Sequence, residues 1–121
     1  MNKIQLLGHV GKDAELRYTP EGKPIMTFSL ATDDGFGDKK RTIWFNCAMF
    51  GDRCVKLAEF VVKGALVFVD GRLNADKTTN APHTWIETKD DQTTIARASY
   101  DVAVGDLVLL GGKRDDVPAE Y

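Results

Sequence analysis

An all-β fold is predicted, a single five-stranded Greek-key barrel with one short α-helix between its third and fourth strands. Three observations predict it. Apolar residues recur at every second position in several separate runs, one run breaks that rhythm with helical spacing, and Gly, Pro, Asp and Asn punctuate the gaps. At 121 residues the chain suits one domain that buries roughly two-thirds of its unfolded surface, and a second domain has no room.

The first strand spans Lys3 to Val10, with Ile4, Leu6, Gly8 and Val10 on one side and Lys3, Gln5, Leu7 and His9 on the other. Turn chemistry from Tyr18 to Pro24 leads into a second extended run, Ile25 to Thr32, and together they read as a hairpin. The stretch Asp33 to Lys40, with Gly35 and Gly37, reads as a mobile connection long enough to fold over a ligand. In the third strand Ile43, Phe45, Cys47 and Met49 form an apolar core face. Trp44, Asn46, Ala48 and Phe50 form the other, where two large aromatics flank an amide and a methyl, an unusual composition for a second buried face.

Cys54, Leu57, Ala58 and Val61 fall at helical spacing within Arg53 to Val62, with Asp52 as candidate N-cap and Gly64 just past the end. Ala65 to Leu73 returns to alternation as the fourth strand. Asn74 to Gln92 is polar and turn-rich but holds Trp85 and Ile86, which predicts a long hairpin-like excursion. Tyr100 to Leu110 is the fifth strand, with a bulge or bend at Gly105. This order of elements is that of the OB-fold. The domain is expected to span residues 1–112, and residues 113–121 to form a short, disordered, acidic tail.

Composition narrows the function. Hydrophobic residues make up 43% and charged residues 28% of the chain, and no apolar run is long enough to span a membrane. The start MNKIQLLGHVG has no secretory-signal pattern. Cys47 and Cys54 have no histidine at zinc-site spacing, so they read as buried free thiols in a reducing cytoplasm, with no metal and no cofactor. No paired carboxylates, Ser/His/Asp set or P-loop points to an enzyme.

The net charge of −2 argues mildly against a nucleic-acid binder, since phosphate contacts need Lys and Arg. Without the tail, 14 basic and 15 acidic residues remain, so phosphate binding must come from local placement. The clearest local excess is Lys39, Lys40 and Arg41 beside Phe36. Binding single strands takes aromatic platforms, nearby cations and loops that close on a polymer. Trp44 and Phe50 lie on one side of one strand, roughly 20 Å apart at about 3.3 Å per residue, as two separate platforms. The competing reading buries them under a loop or a subunit interface. Phe36 reads either as a platform or as an anchor for its loop, and Trp85 either as a platform or as a plug for its hairpin.

Three segments are specific: NKIQLLGHVGKDAELRYTPEGKPIMTFSLAT, WFNCAMFGDRCVKLAEFVVKG and the closing LLGG. In that order they resemble the bacterial single-stranded DNA-binding protein family over nearly all of residues 1–112. The resemblance implies sequence-independent binding and protection of single-stranded DNA in replication, recombination and repair, by a cytoplasmic, nucleoid-associated protein that commonly forms homotetramers. It implies stacking by Trp44, Phe50 and Phe36, with Trp85 as a substitute for a further tryptophan. It implies phosphate contacts by Lys3, Arg17, Lys39 and Lys63, and Lys40, Arg41, Arg72 and Lys77 complete the candidate basic set. Asp115, Asp116, Val117 and Pro118 resemble part of the family's acidic tip, which recruits replication and repair proteins.

The departures also carry information. Past Leu73 the family often has a basic run leading to a tryptophan, where this chain reads Asn74, Ala75, Asp76, Lys77, Thr78, and Asn46 and Asp52 stand where basic residues are common. Stacking is therefore expected to carry more of the affinity than charge. Two other classes fit less well: an OB-fold replication accessory or protein-interaction module with weak DNA binding, and an RNA chaperone of cold-shock type.

Overall fold

The computed structural model describes residues 1–111. Its strands are β1 (Ile4–Val10), β2 (Glu15–Tyr18), β3 (Pro24–Asp34), β4 (Arg41–Phe50), β5 (Leu66–Asn74), β6 (Thr84–Thr88), β7 (Thr94–Ala98) and β8 (Tyr100–Gly111), with helix α1 (Arg53–Leu57) between β4 and β5. Hydrogen bonding runs in the order β1-β5-β8-β4-β3-β2, and β1 also pairs with β3. That last pairing closes β1, β3, β4, β5 and β8 into a five-stranded barrel, the OB-fold, with β2 on its flank and β6-β7 as a separate hairpin.

Closure depends on close backbone approach. β1 meets β3 only at His9↔Ala31 and Val10↔Leu30, beside Gly8, where an added Cβ would lie 2.2 Å from the Ala31 carbonyl oxygen. Only glycine fits there. Inside, Val10, Met26, Leu30, Met49, Val67, Val69 and Val102 are fully buried, and Cys47 and Cys54 are buried free thiols.

β8 switches its inward-facing parity midway. Val102 and Val104 point to the core before Gly105, and Leu107 does so after it. The register against β5 shifts between Asp70↔Asp106 and Gly71↔Val104, which leaves Gly105 as the extra residue of the expected bulge.

Several expectations are corrected. The tight hairpin is β2-β3, with Glu15–Tyr18 as a strand of its own, rather than a pairing of the first run with the second. Helix α1 ends at Leu57 instead of Val62, and Asp52 makes no side-chain cap. Past Leu57 the chain tightens, with the Phe60 N–H (2.9 Å) and Val61 N–H (3.0 Å) both donating to the Leu57 carbonyl, and it then docks on the barrel, where the Ala14 N–H donates to the Val61 carbonyl (2.8 Å) and the Gly64 N–H to the Val10 carbonyl (2.8 Å). The segment still closes the barrel end, with Cys54 and Val61 fully buried.

The connection expected over Asp33 to Lys40 is shorter. β3 and β4 stay paired out to Asp34↔Arg41, and residues 37–39 form a 3-10 turn. Lys40–Asp33 (3.1 Å) and Arg41–Asp34 (3.0 Å) ion pairs brace the tip. The excursion after β5 reaches further along the chain, with β6 and β7 pairing through Trp85↔Arg97.

Candidate nucleic-acid interface

The outward side of β4 presents Trp44, Asn46, Ala48 and Phe50, and the sheet register sets their neighbours. Ala31, Ser29, Thr27 and Ile25 of β3 lie opposite them in turn, and Asp101 and Ala103 of β8 lie opposite Asn46 and Ala48 through the parallel β4-β8 pair. Between the two aromatics every outward residue on these three strands is therefore small or polar. The result is a groove of about 600 Å³ floored by Thr27, Ser29, Asn46, Ala48 and Asp101, with Lys12 and Lys77 at its rims. Its volume falls within the roughly 300–1,000 Å³ of ligand clefts.

The aromatics differ in state. Phe50 is 61% and Phe36 93% exposed, both free to receive a base. Trp44, expected on an exposed face, is 8% exposed. Its ring lies over Ala31 and Gly11, where an added Cβ would sit 2.4 Å from Cζ3 of the indole. The cause is a glycine 33 residues away in sequence, which leaves room for the ring to lie flat on the barrel wall. Phe36 and Phe50 stand at opposite ends of the β3-β4 hairpin, about 30 Å apart by strand rise. Trp85 is exposed on the β6-β7 hairpin, with its ring stacked on His83 at 5.6 Å. Asp76 braces the turn before that hairpin: the Thr78 N–H (2.8 Å) and then His83 (3.4 Å) hold its carboxyl below the usual carboxylate range.

The eight candidate cations divide evenly. Lys3 pairs with Asp70 (3.5 Å), Arg17 with Glu15 (2.6 Å), and Lys40 and Arg41 with Asp33 and Asp34. Exposed pairs of this kind contribute only about 0–1 kcal/mol to stability, so their main effect is to neutralise local charge. Among the described residues Lys39, Lys63, Arg72 and Lys77 have no carboxylate within 4.0 Å. Asp115, Asp116, Val117 and Pro118 lie outside the described residues.

Sequence reasoning missed Asp101 and Tyr100. Both reach β4 through the parallel β4-β8 pair, across which the Tyr100 ring meets Phe45 at 5.5 Å. A parallel partner 55 residues away leaves no local signal. Beneath the floor, burial and then the Asp101 carboxylate push the Cys47 thiol up to about 12, which keeps it protonated and inert at neutral pH. Among the described residues no group of three or more His, Cys, Asp or Glu side chains could hold a metal, and no helix is long and apolar enough to cross a membrane.

The comparisons with known proteins agree with this architecture. The model of the "Single-strand binding protein family" matches residues 1–104. Single-stranded DNA-binding proteins of Neisseria meningitidis are 31% identical over 96% of this chain, which spans 63% of their length. A single-stranded DNA-binding protein of Xylella fastidiosa is 30% identical over 96% of this chain and 82% of its own. A solved structure, the Plasmodium falciparum SSB complex with ssDNA, superposes with a TM-score of 0.64 at 26% identity and covers 92% of this chain and 96% of its own. The chain belongs to the single-strand binding protein family.

Proposed function

We propose that this chain binds single-stranded DNA independently of sequence, protects it during replication, recombination and repair, and performs no chemistry on it. The observation that carries the reading is the small-residue groove between Trp44 and Phe50, on a barrel that matches a family named for single-strand binding. Duplex DNA keeps its bases stacked internally, whereas a flexible single strand can turn its bases onto Phe50 and Phe36. Trp44 borders the path from its seat on Gly11, and Trp85 extends it from the β6-β7 hairpin. Each stacked base is worth about 1–3 kcal/mol. Lys39, Lys63, Arg72 and Lys77 take the phosphates directly, while Lys3, Arg17, Lys40 and Arg41 must first leave their carboxylates.

Self-association, commonly as a tetramer in the family, is supported by a second exterior face. Leu7, Phe68 and Val108 align across β1, β5 and β8, and Leu7 and Val108 are exposed. Free Cys47 and Cys54 suit a reducing cytoplasm. The tail residues Asp115 to Pro118 are the segment we assign to recruiting replication and repair proteins.

Fluorescence anisotropy with a labelled oligothymidine and the matching duplex tests the DNA reading. The expected result is tight binding to the single strand only. Neutralising four phosphates gives a slope of log affinity against log salt of about −3, whereas all eight cations acting would give about −6. Equal affinity for duplex, or no binding at low salt, would overturn the reading in favour of a protein-interaction module.

A further inference from the structure

The hairpin that carries Trp85 stands apart from the barrel. β6 and β7 form a two-stranded sheet of their own, and every residue of β6 is exposed. A lone two-stranded hairpin is marginal in water, so an aromatic on it keeps a fixed place only where something ties it down.

That tie runs through His83. Its ring stacks on Trp85 with centroids 5.6 Å and planes 27° apart, within the separation that aromatic pairs favour. Its Nδ1 lies 3.4 Å from Asp76 Oδ2, and because an ionised carboxylate only accepts, Nδ1 carries the hydrogen. Its carbonyl accepts from the Ser99 N–H at 3.0 Å, next to the start of β8.

Asp76 is itself held in place. Its N–H donates to the Ala81 carbonyl (2.8 Å), its carbonyl accepts from the Asn80 N–H (2.8 Å), and its carboxylate accepts from the Thr78 N–H (2.8 Å). Asn74, Ala75 and Lys77, on either side of it in the chain, line the groove. Trp85, His83 and Asp76 thus link the hairpin to the groove rim. Arg97 lies opposite Trp85 and pairs with Glu87, which places Asp76, Glu87 and Arg97 as the charged groups around the stack. Under this cover Trp85 keeps 38% exposure, and holding a ring in place beforehand lowers the cost of ordering it on a base.

We infer that His83 is a positioning residue for Trp85, holding the indole as a base platform at a fixed place beside the groove, with Asp76 as its anchor. The inference rests on the DNA-binding reading above and deepens it at one platform.

Two measurements test it, on variants altered only at exposed positions. Anisotropy titrations with oligothymidine compare the wild-type chain, His83→Gln, Trp85→Ala and the double variant. Trp85→Ala is expected to weaken binding about tenfold, His83→Gln about threefold, and the double variant no more than Trp85→Ala alone. Tryptophan emission is followed from about pH 8 to about pH 5.5, across the range in which histidine gains its proton. A protonated imidazole quenches an indole it touches, so emission should fall further in the wild type than in His83→Gln. The same emission profile in both would overturn the stack. An unchanged Kd in His83→Gln, an unchanged Kd in Trp85→Ala, or a His83→Gln loss that persists in the Trp85→Ala background would overturn the positioning role and leave DNA binding standing. Failure of the wild type to bind would overturn both.

Discussion

Two exterior faces of one barrel carry opposite chemistry. On β3, β4 and β8 the outward residues between Trp44 and Phe50 are small or polar and leave a groove. On β1, β5 and β8 the aligned row Leu7, Phe68 and Val108 is large and apolar. β8 serves both. Asp101 and Ala103 point outward before the Gly105 bulge and Val108 after it, so one extra residue lets a single strand contribute a polar end to one face and an apolar end to the other. On the proposed reading, this one strand separates the face for DNA from the face for self-association.

Truncating the two aromatics that bound the groove should break this comparison most sharply. Trp44→Ala removes a buried ring and is expected to lower folding stability by about 3 kcal/mol, read from urea denaturation. Phe50→Ala removes an exposed one and should leave stability within about 0.5 kcal/mol while weakening oligonucleotide binding by about 1–3 kcal/mol. If both variants lost stability equally, the difference in burial between the two rings would be wrong.

The apolar face gives the next effect. Phe68→Glu puts a charge at the centre of the Leu7, Phe68, Val108 row and is expected to weaken self-association by at least about 2 kcal/mol, or about 30-fold. Sedimentation velocity should then show a shift from the assembled species toward a single chain. Oligonucleotide affinity per chain should hold. A matching loss of assembly and of intrinsic affinity would mean that the two faces are not separate.

Much of the barrel was legible because period-two alternation survives wherever one strand face is buried. Ile4 to Val10, Asn46 to Phe50 and Val67 to Val69 all sort as their pattern requires. Helix length was not legible, since apolar spacing at Cys54, Leu57, Ala58 and Val61 continues through the turn in which the Phe60 and Val61 N–H groups share the Leu57 carbonyl. The site divides in the same way. Phe50 and Phe36 follow from local pattern, and the structure leaves both exposed. The seat of Trp44 depends on Gly11, and the neutralisation of Lys40 and Arg41 depends on strands that continue out to Asp33 and Asp34. Asp101 became part of the groove only through the parallel β4-β8 register, which no local run of residues encodes.

The most direct test uses the position of Trp44 at the border of the groove. In Trp85→Phe the indole of Trp44 is the chain's remaining tryptophan, so its emission reports on this face alone. Titration with single-stranded DNA is expected to change that emission to saturation at the same concentration at which anisotropy reports binding. An emission that stays flat while anisotropy shows the strand fully bound would place the DNA elsewhere and contradict the assignment of this face.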